Sequence, residues 1–188
     1  MAKGGQDNRP PARIKDGRCG DRLKQDDYVI GPASRDDIPA LLELQKANLA
    51  GAGGVLSVQF SSEWFERSMD EMPIMVAKRD GMLVGYLVSS SRTATRHLAL
   101  SEAKYRAYSA SPDAYNSGPL CVAASERGRG LAPRLFHAMR AHLPGREAVT
   151  FIRRDNLSSR ALHRKLAFRE VATFTYSSVD YLVAVHRE

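Results

Sequence analysis

A short segment rich in glycine and arginine, at residues 127–132, constrains the fold of this chain more than any other feature. It reads RGRGLA and lies between an apolar, strand-like run at Pro119–Ala123 and a helical pattern that begins near Leu131. Glycines permit a turn whose backbone N–H groups point in one direction, and a helix N-terminus adds about half a positive charge. The segment therefore predicts a strand–turn–helix unit that binds an anion, most naturally a pyrophosphate.

Two common glycine-rich phosphate loops fit this segment poorly. The dinucleotide fingerprint G-x-G-x-x-G requires glycine where Pro133 stands, and an acidic residue after a second strand, whereas Glu147 precedes its strand. A Walker loop ends in Gly-Lys-Ser or Gly-Lys-Thr, which the chain lacks. The pattern Arg/Gln-x-x-Gly-x-Gly/Ala does fit, because Arg127, Gly130 and Ala132 meet it.

A second motif follows after the interval that one strand would fill. It begins at Asn156, has Ser159 three positions later and His163 seven positions later, and ends at Phe168. Together the two motifs resemble those of the GNAT superfamily of acetyl-CoA-dependent N-acetyltransferases. This chain has His163 where that family more often has tyrosine, and Ala167 where the family has glycine.

The resemblance implies an α/β fold with acetyl-CoA as the cofactor. The expected GNAT-like fold is a central mixed, mostly antiparallel sheet with helices on both faces, and acetyl-CoA lies at a splay between two central parallel strands. The pantetheine chain is expected to pair with a strand backbone, and the pyrophosphate with N–H groups of the loop. No metal is implied. The implied cofactor-binding residues are Leu120, Cys121, Val122, Arg127, Gly128, Arg129, Gly130, Leu131, Ala132, Asn156, Ser159 and His163.

Direct acetyl transfer requires a donor for the oxyanion and an acid for the departing thiolate. A backbone N–H within Leu120–Val122 is expected to serve the oxyanion. His163 occupies the family's proton-donor position and is the predicted catalytic residue, because an imidazole of pKa near 6.5 can protonate a thiolate whose conjugate acid has a pKa near 8.5. The alternative is that His163 is a packed or solvent-facing helix residue. Cys121, in an apolar strand, is interpreted as a small core residue and not as a nucleophile.

The general base is left unassigned by the sequence. Some relatives place a glutamate five residues before the position of Asn156, but Phe151 stands there. Three acidic residues remain as candidates that reach a cleft from loops, although a surface carboxylate is more often simply solvated. They are Asp113, Glu102 and Glu66.

The predicted function is therefore acetyl transfer to a primary amine in a ternary complex. A small-molecule amine is preferred because Phe151 argues against the protein N-terminal variant, and a protein amine is the alternative within enzymes. The other alternative is a catalytically weak acetyl-CoA sensor or nucleic-acid-binding module. The net charge of +7 suits an anionic cofactor, nucleic acid or a membrane surface and does not choose among them. We expect no nucleic-acid or membrane partner, and a monomer or homodimer.

Composition bounds the domain organisation. The chain has 188 residues with 43% apolar residues, which predicts one globular domain, assigned to residues 27–188. Residues 1–26 hold seven lysines and arginines and few apolar side chains, so we expect a flexible basic extension, or alternatively a basic arm that touches a partner. Two cysteines make neither a disulfide framework nor a metal cluster. No signal-peptide pattern or long apolar stretch is visible, so a cytoplasmic location is expected.

Periodicity and capping residues predict the remaining elements. A helix after Ser34 is expected to bury Ile38, Leu41, Leu42 and Leu49 before residues 51–54 end it. A strand is expected near Tyr28, then a helix capped by Ser61 or Ser62, then a hairpin at Pro73–Ser89 that turns at Asp80-Gly81. The other expected helices are Leu98–Tyr108, Leu131–Leu143 and Ser158–Lys165. The other expected strands are Ala148–Ile152, Phe168–Ser177 and Tyr181–Val185.

Overall fold

The structure is a computed structural model that describes residues 1, 28–49, 56 and 58–187. The predicted basic extension, apart from its first residue, and the glycine run at residues 51–54 lie outside the described residues. The described strands are β1 (Val29–Pro32), β2 (Ile74–Arg79), β3 (Met82–Ser90), β4 (Tyr115–Val122), β5 (Ala148–Arg153), β6 (Arg169–Tyr176) and β7 (Val179–His186). The described α-helices are α1 (Ile38–Ala47), α2 (Ser62–Glu71), α3 (Arg92–Thr95), α4 (Ala99–Ala107), α5 (Leu131–His142) and α6 (Leu157–Lys165).

The strands form one seven-stranded sheet in the order β1-β2-β3-β4-β5-β7-β6. Strands β4 and β5 are parallel, and every other neighbouring pair is antiparallel. The predicted mixed, mostly antiparallel sheet is confirmed. A chain of mostly antiparallel hairpins needs one crossover to place β5 beside β4, and α5 makes that crossover.

Helices cover both faces of this sheet, as alternate side chains of β2 demonstrate. Met75 and Ala77 belong to the core under α5, whereas Ile74 and Val76 belong to the core under α1 and α2. Because successive strand residues point to opposite faces, α5 lies on one face and α1 and α2 lie on the other. The predicted buried stripe of α5 is confirmed at Leu131, Leu135, Phe136, Met139 and Leu143.

Local signals account well for the element ends. The Ser61 side chain accepts a hydrogen bond from Trp64 N and caps α2, as predicted. Asp80 and Gly81 both have positive φ, 50° and 77°, which is the turn that a two-residue hairpin prefers. Strand β1 and helices α4, α5 and α6 lie within one or two residues of their predicted positions.

One boundary prediction is wrong. Leu49 was expected on the buried face of the first helix, but α1 ends at Ala47 and Leu49 instead forms an isolated bridge with Leu56. The side chain of Asn48 donates a hydrogen bond to the Leu44 carbonyl, and a side-chain amide that bonds the last turn in this way ends the helix early. Leu42 is half-buried.

None of the described helices has the length and apolar character that crossing a membrane requires.

Candidate active site at the splay between two central strands

Strands β4 and β5 are paired over only two positions. Tyr115 lies opposite Ala148 and Asn116 opposite Val149, and no further pairs follow along the two strands. On its other side β4 stays paired with β3 as far as Val122. The two parallel strands therefore separate toward their carboxyl ends, as predicted, and leave one edge of β4 open to a ligand.

The glycine loop follows β4 at the open end of this gap. Gly128 and Gly130 have φ of 77° and 76°, the left-handed conformation that favours glycine, and Gly130 caps α5. A Cβ atom added at either glycine would meet no atom within 4 Å, so the loop faces open space. No acidic residue lies in the first turn of α5. These features fit an anion at the helix N-terminus.

The two loop arginines are exposed but make contacts within the chain. Arg127 donates from Nε to the Val122 carbonyl at 3.3 Å and from a terminal nitrogen to Asn48 Oδ1 at 3.0 Å. Arg129 Nε lies 3.7 Å from a carboxylate oxygen of Glu126. Arg127 thus connects the loop to the ends of β4 and α1, and both cations stay beside the glycines.

A carboxylate outside the predicted site residues positions this loop. Glu126 is buried, accepts a hydrogen bond from the Tyr28 hydroxyl and lies 3.3 Å from an Arg79 nitrogen. The hydrogen bond from Tyr28 is the largest cause that lowers the pKa of Glu126, and Arg129 and Arg79 lower it further. Tyr28 and Glu126 are 98 positions apart in sequence, and no local pattern indicates their contact.

The three predicted strand residues contribute to the gap through their backbone. Leu120 and Val122 pack on the α5 side, and Cys121 is buried on the other side beside Tyr86. Burial raises the pKa of the Cys121 thiol to about 11, so it is not activated as a nucleophile. Leu131 is a core residue, so its backbone alone is available at the loop, and Ala132 is half-buried.

The second motif forms helix α6. The Asn156 side chain accepts a hydrogen bond from Ser159 N at 3.1 Å and caps the helix. His163 Nδ1 lies 2.8 Å from the Ser159 carbonyl oxygen and 3.3 Å from its hydroxyl. Because a carbonyl only accepts, Nδ1 carries the proton of the neutral ring and Nε2 has the lone pair.

His163 lies in a pocket between α6 and the sheet. Its ring packs edge to face on Phe168 at a centroid distance of 4.9 Å. The other lining residues belong to α6, β5, β6 and β7, and none belongs to β4: Ile152, Arg160, Arg164, Glu170 and Ala184. Burial lowers the pKa of His163, while the hydrogen bond to Ser159 opposes this shift.

The acidic candidates for a base are distributed around the surface. Glu102, on α4, lies 3.8 Å from an Arg92 nitrogen. Asp113 and Glu66 are exposed. At the position where some relatives have a glutamate, Phe151 is half-buried with its ring edge to face on Tyr181 at 5.7 Å. The contacts of the described residues therefore bring none of the three carboxylates to the strand gap.

A buried polar cluster, none of whose residues belongs to the predicted site, lies at the closed end of the gap. Lys104 Nζ and the Tyr105 hydroxyl both donate to Asn116 Oδ1, the latter at 2.8 Å. The amide nitrogen of Asn116 donates to the Ser91 carbonyl at 2.9 Å and to Thr95 Oγ1 at 2.9 Å. The sequence predicts the helix at Leu98–Tyr108 but not that it brings a lysine to a residue of the sheet.

Comparison with known proteins agrees with this geometry. A sequence model described as the acetyltransferase (GNAT) family matches residues 39–168. No curated protein sequence matches the chain. Similar solved structures include an N-acetyltransferase from Staphylococcus aureus, with TM-score 0.64 and 20% identity over 85% of this chain and 98% of that chain.

Two further solved structures share the fold. A ribosomal-protein-alanine N-acetyltransferase from Brucella melitensis has TM-score 0.63 and 22% identity over 85% of this chain and 99% of that one. The Salmonella typhimurium protein yncA, solved with its cofactor acetyl-CoA, has TM-score 0.64 and 17% identity over 85% of this chain and 93% of that one. At these identities the likeness establishes the fold alone.

Proposed function

The chain belongs to the GNAT family of acetyltransferases, and from that membership we propose that it transfers an acetyl group from acetyl-CoA to the primary amine of a small molecule. The observation that carries the proposal is the gap between β4 and β5 with a glycine loop at its open end. Acetyl-CoA supplies an acetyl group bound to a good thiolate leaving group.

The residues at the gap fit acetyl-CoA. The unpaired edge of β4 at Leu120–Val122 offers backbone groups to an extended pantetheine chain, in the manner of an added strand. The loop from Gly128 to Ala132 offers N–H groups and open space to a pyrophosphate, and Arg127 and Arg129 add positive charge. Asn156 and Ser159 are assigned to the cofactor site through the start of α6.

Three groups would serve the chemistry. A backbone N–H within Leu120–Val122 donates to the developing oxyanion. His163 gives a proton to the thiolate, and this requires the protonated ring. Because burial lowers the pKa of His163, the protonated form is the minor one at neutral pH, but it is also a stronger acid than an exposed imidazole. The acceptor amine loses its proton to a group that the family motifs do not identify.

The test is thiol release from acetyl-CoA, measured across small primary amines and across peptides that present an α-amine or a lysine. We expect release with small amines. Release with peptides alone would replace the small-molecule assignment by a protein amine. Tight CoA binding without release for any acceptor would favour a sensor, and a salt-dependent DNA affinity in the same preparation would favour the nucleic-acid-binding alternative. A cytoplasmic location and the oligomeric state stay predictions.

A further inference from the structure

Lys104 is the most deeply buried charged group near the gap. It lies on α4 with only 1% of its surface exposed. Its Nζ atom donates to Asn116 Oδ1 on β4, lies 4.2 Å from the Tyr105 ring centroid and 5.9 Å from the Phe151 ring centroid on β5. The amine therefore lies beside side chains of both parallel strands, and each of these contacts is with a neutral group.

The Lys104 amine lies at the position along the strands where β4 and β5 separate. Asn116 and Val149 form the last pair before β4 and β5 separate, and Phe151 is two residues further along β5. Nζ thus lies where the gap begins, on the face that α4 covers. His163 lies beyond the opposite face, because its pocket includes Ile152 of the core under α5. The two titratable groups therefore lie on opposite faces of the sheet.

A buried ammonium without a carboxylate contact is unfavourable, and a neutral amine is the alternative. Burial, together with the nearby positive charge of Arg92, lowers the pKa of Lys104 to about 7, while Glu102 opposes the shift. A neutral lysine amine carries a lone pair and accepts a proton. Such a group is most effective as a base when its pKa lies near the working pH.

Resting on the proposed function, we propose that Lys104 is the general base of this enzyme and accepts the proton that the acceptor amine loses, directly or through one water. The amine nitrogen attacks the carbonyl carbon, a C–N bond forms and the C–S bond breaks. The proton leaving nitrogen goes to the neutral Nζ and then to solvent, and the sulfur separately receives a proton from His163 or water. The net products are an amide and a free thiol.

The competing explanation is that Lys104 only holds Asn116 in place. The two explanations predict a different dependence of kcat on pH. The groups that face Nζ from each packed element set the pKa of Lys104 and therefore the pH at which kcat changes. Arg92 on α3 and Glu102 on α4 are charged, Tyr105 on α4 is titratable, and Asn116 on β4 and Phe151 on β5 are neutral. The Arg92 and Glu102 side chains are 59% and 32% exposed, so they can be changed without opening the core.

The experiment measures kcat against pH at saturating acetyl-CoA and amine. The base must be neutral, so its contribution to kcat should rise with pH around 7, against the falling contribution of the protonated His163 and separately from the rise near pH 10 that an alkylamine's own pKa of about 10.4 causes. Lys104→Met should abolish the first rise and lower kcat by about 10²–10⁴-fold. Arg92→Gln should move this rise to higher pH, and Glu102→Gln should move it to lower pH.

A matched control is Arg35→Gln, which breaks another exposed arginine–carboxylate pair, with Asp70 at 2.7 Å, and should leave the rise unmoved. If Lys104→Met does not fold, the pH profiles of Arg92→Gln and Glu102→Gln still test whether Lys104 is the base. A rise that neither variant moves, or a folded Lys104→Met with the wild-type profile, would overturn the inference while leaving the proposed function intact. A wild-type protein that transfers no acetyl group to any amine would overturn both.

Discussion

The anion site at the start of α5 predicts a large effect of Gly130→Asp on CoA binding. Gly130 has φ of 76°, and a Cβ atom there would meet nothing within 4 Å, so the side chain fits but the backbone is strained. A non-glycine residue in this conformation costs roughly 1–2 kcal/mol. For a chain of this size that corresponds to a fall in Tm of about 2–8 °C.

The introduced charge has a separate effect on the ligand. Two unit charges about 5 Å apart repel by about 0.8 kcal/mol in water and by about 3 kcal/mol at an effective dielectric constant near 20. Against the two charges of a pyrophosphate the repulsion is about 2–7 kcal/mol. We therefore expect CoA affinity to fall at least about tenfold, and at the upper end to become undetectable.

Gly145→Asp is the matched control, because Gly145 has φ of 71°, has equally open surroundings and lies at the other end of α5. It adds the same charge and a similar strain away from the loop. Isothermal titration of CoA into the three folded proteins should give weak binding for Gly130→Asp alone, whereas both variants lose similar thermal stability. Equal affinities for wild type and Gly130→Asp would refute the pyrophosphate site.

Three further predictions concern other parts of the chain. His163→Phe should lower kcat by about 10²–10⁴-fold with little change in CoA affinity. In the wild type, the contribution of His163 to kcat should fall as pH rises through its pKa, which burial lowers below 6.5. Turnover of the variant within a few-fold of wild type would end this assignment. Deleting residues 1–25 should leave Tm and acetyl-CoA affinity nearly unchanged, because that sequence has few apolar side chains to bury; a large loss of either would indicate docking. Glu147 is buried, and although burial raises its pKa, hydrogen bonds from Arg187, Ser111 and Tyr108 lower it overall. Glu147→Gln should therefore cost about 1–3 kcal/mol near pH 7, and thermal melts should show this difference shrink as pH falls below about 4.5; a constant difference down to pH 3 would contradict this.

Much of the candidate site was predictable because its signals are local. The conformation that a turn requires restricts which residues can occupy it, so Gly128 and Gly130 indicated the loop. A helix end needs a side-chain acceptor within a few residues, and Asn156 supplies one for α6. Each of these constraints acts between neighbours in the chain, and the structure has the predicted turn at the two glycines and the predicted helix after Asn156.

Contacts between distant residues were not predictable in this way. The insertion of β7 between β5 and β6, and the limit of β4–β5 pairing at Asn116, depend on which strands pair, and no window of sequence specifies that. The contact between Tyr28 and Glu126 and the contact between Lys104 and Asn116 arise only when separate elements pack together. Burial is likewise a property of the packed domain, so the lowered pKa values of Lys104 and His163 exist only in the folded protein.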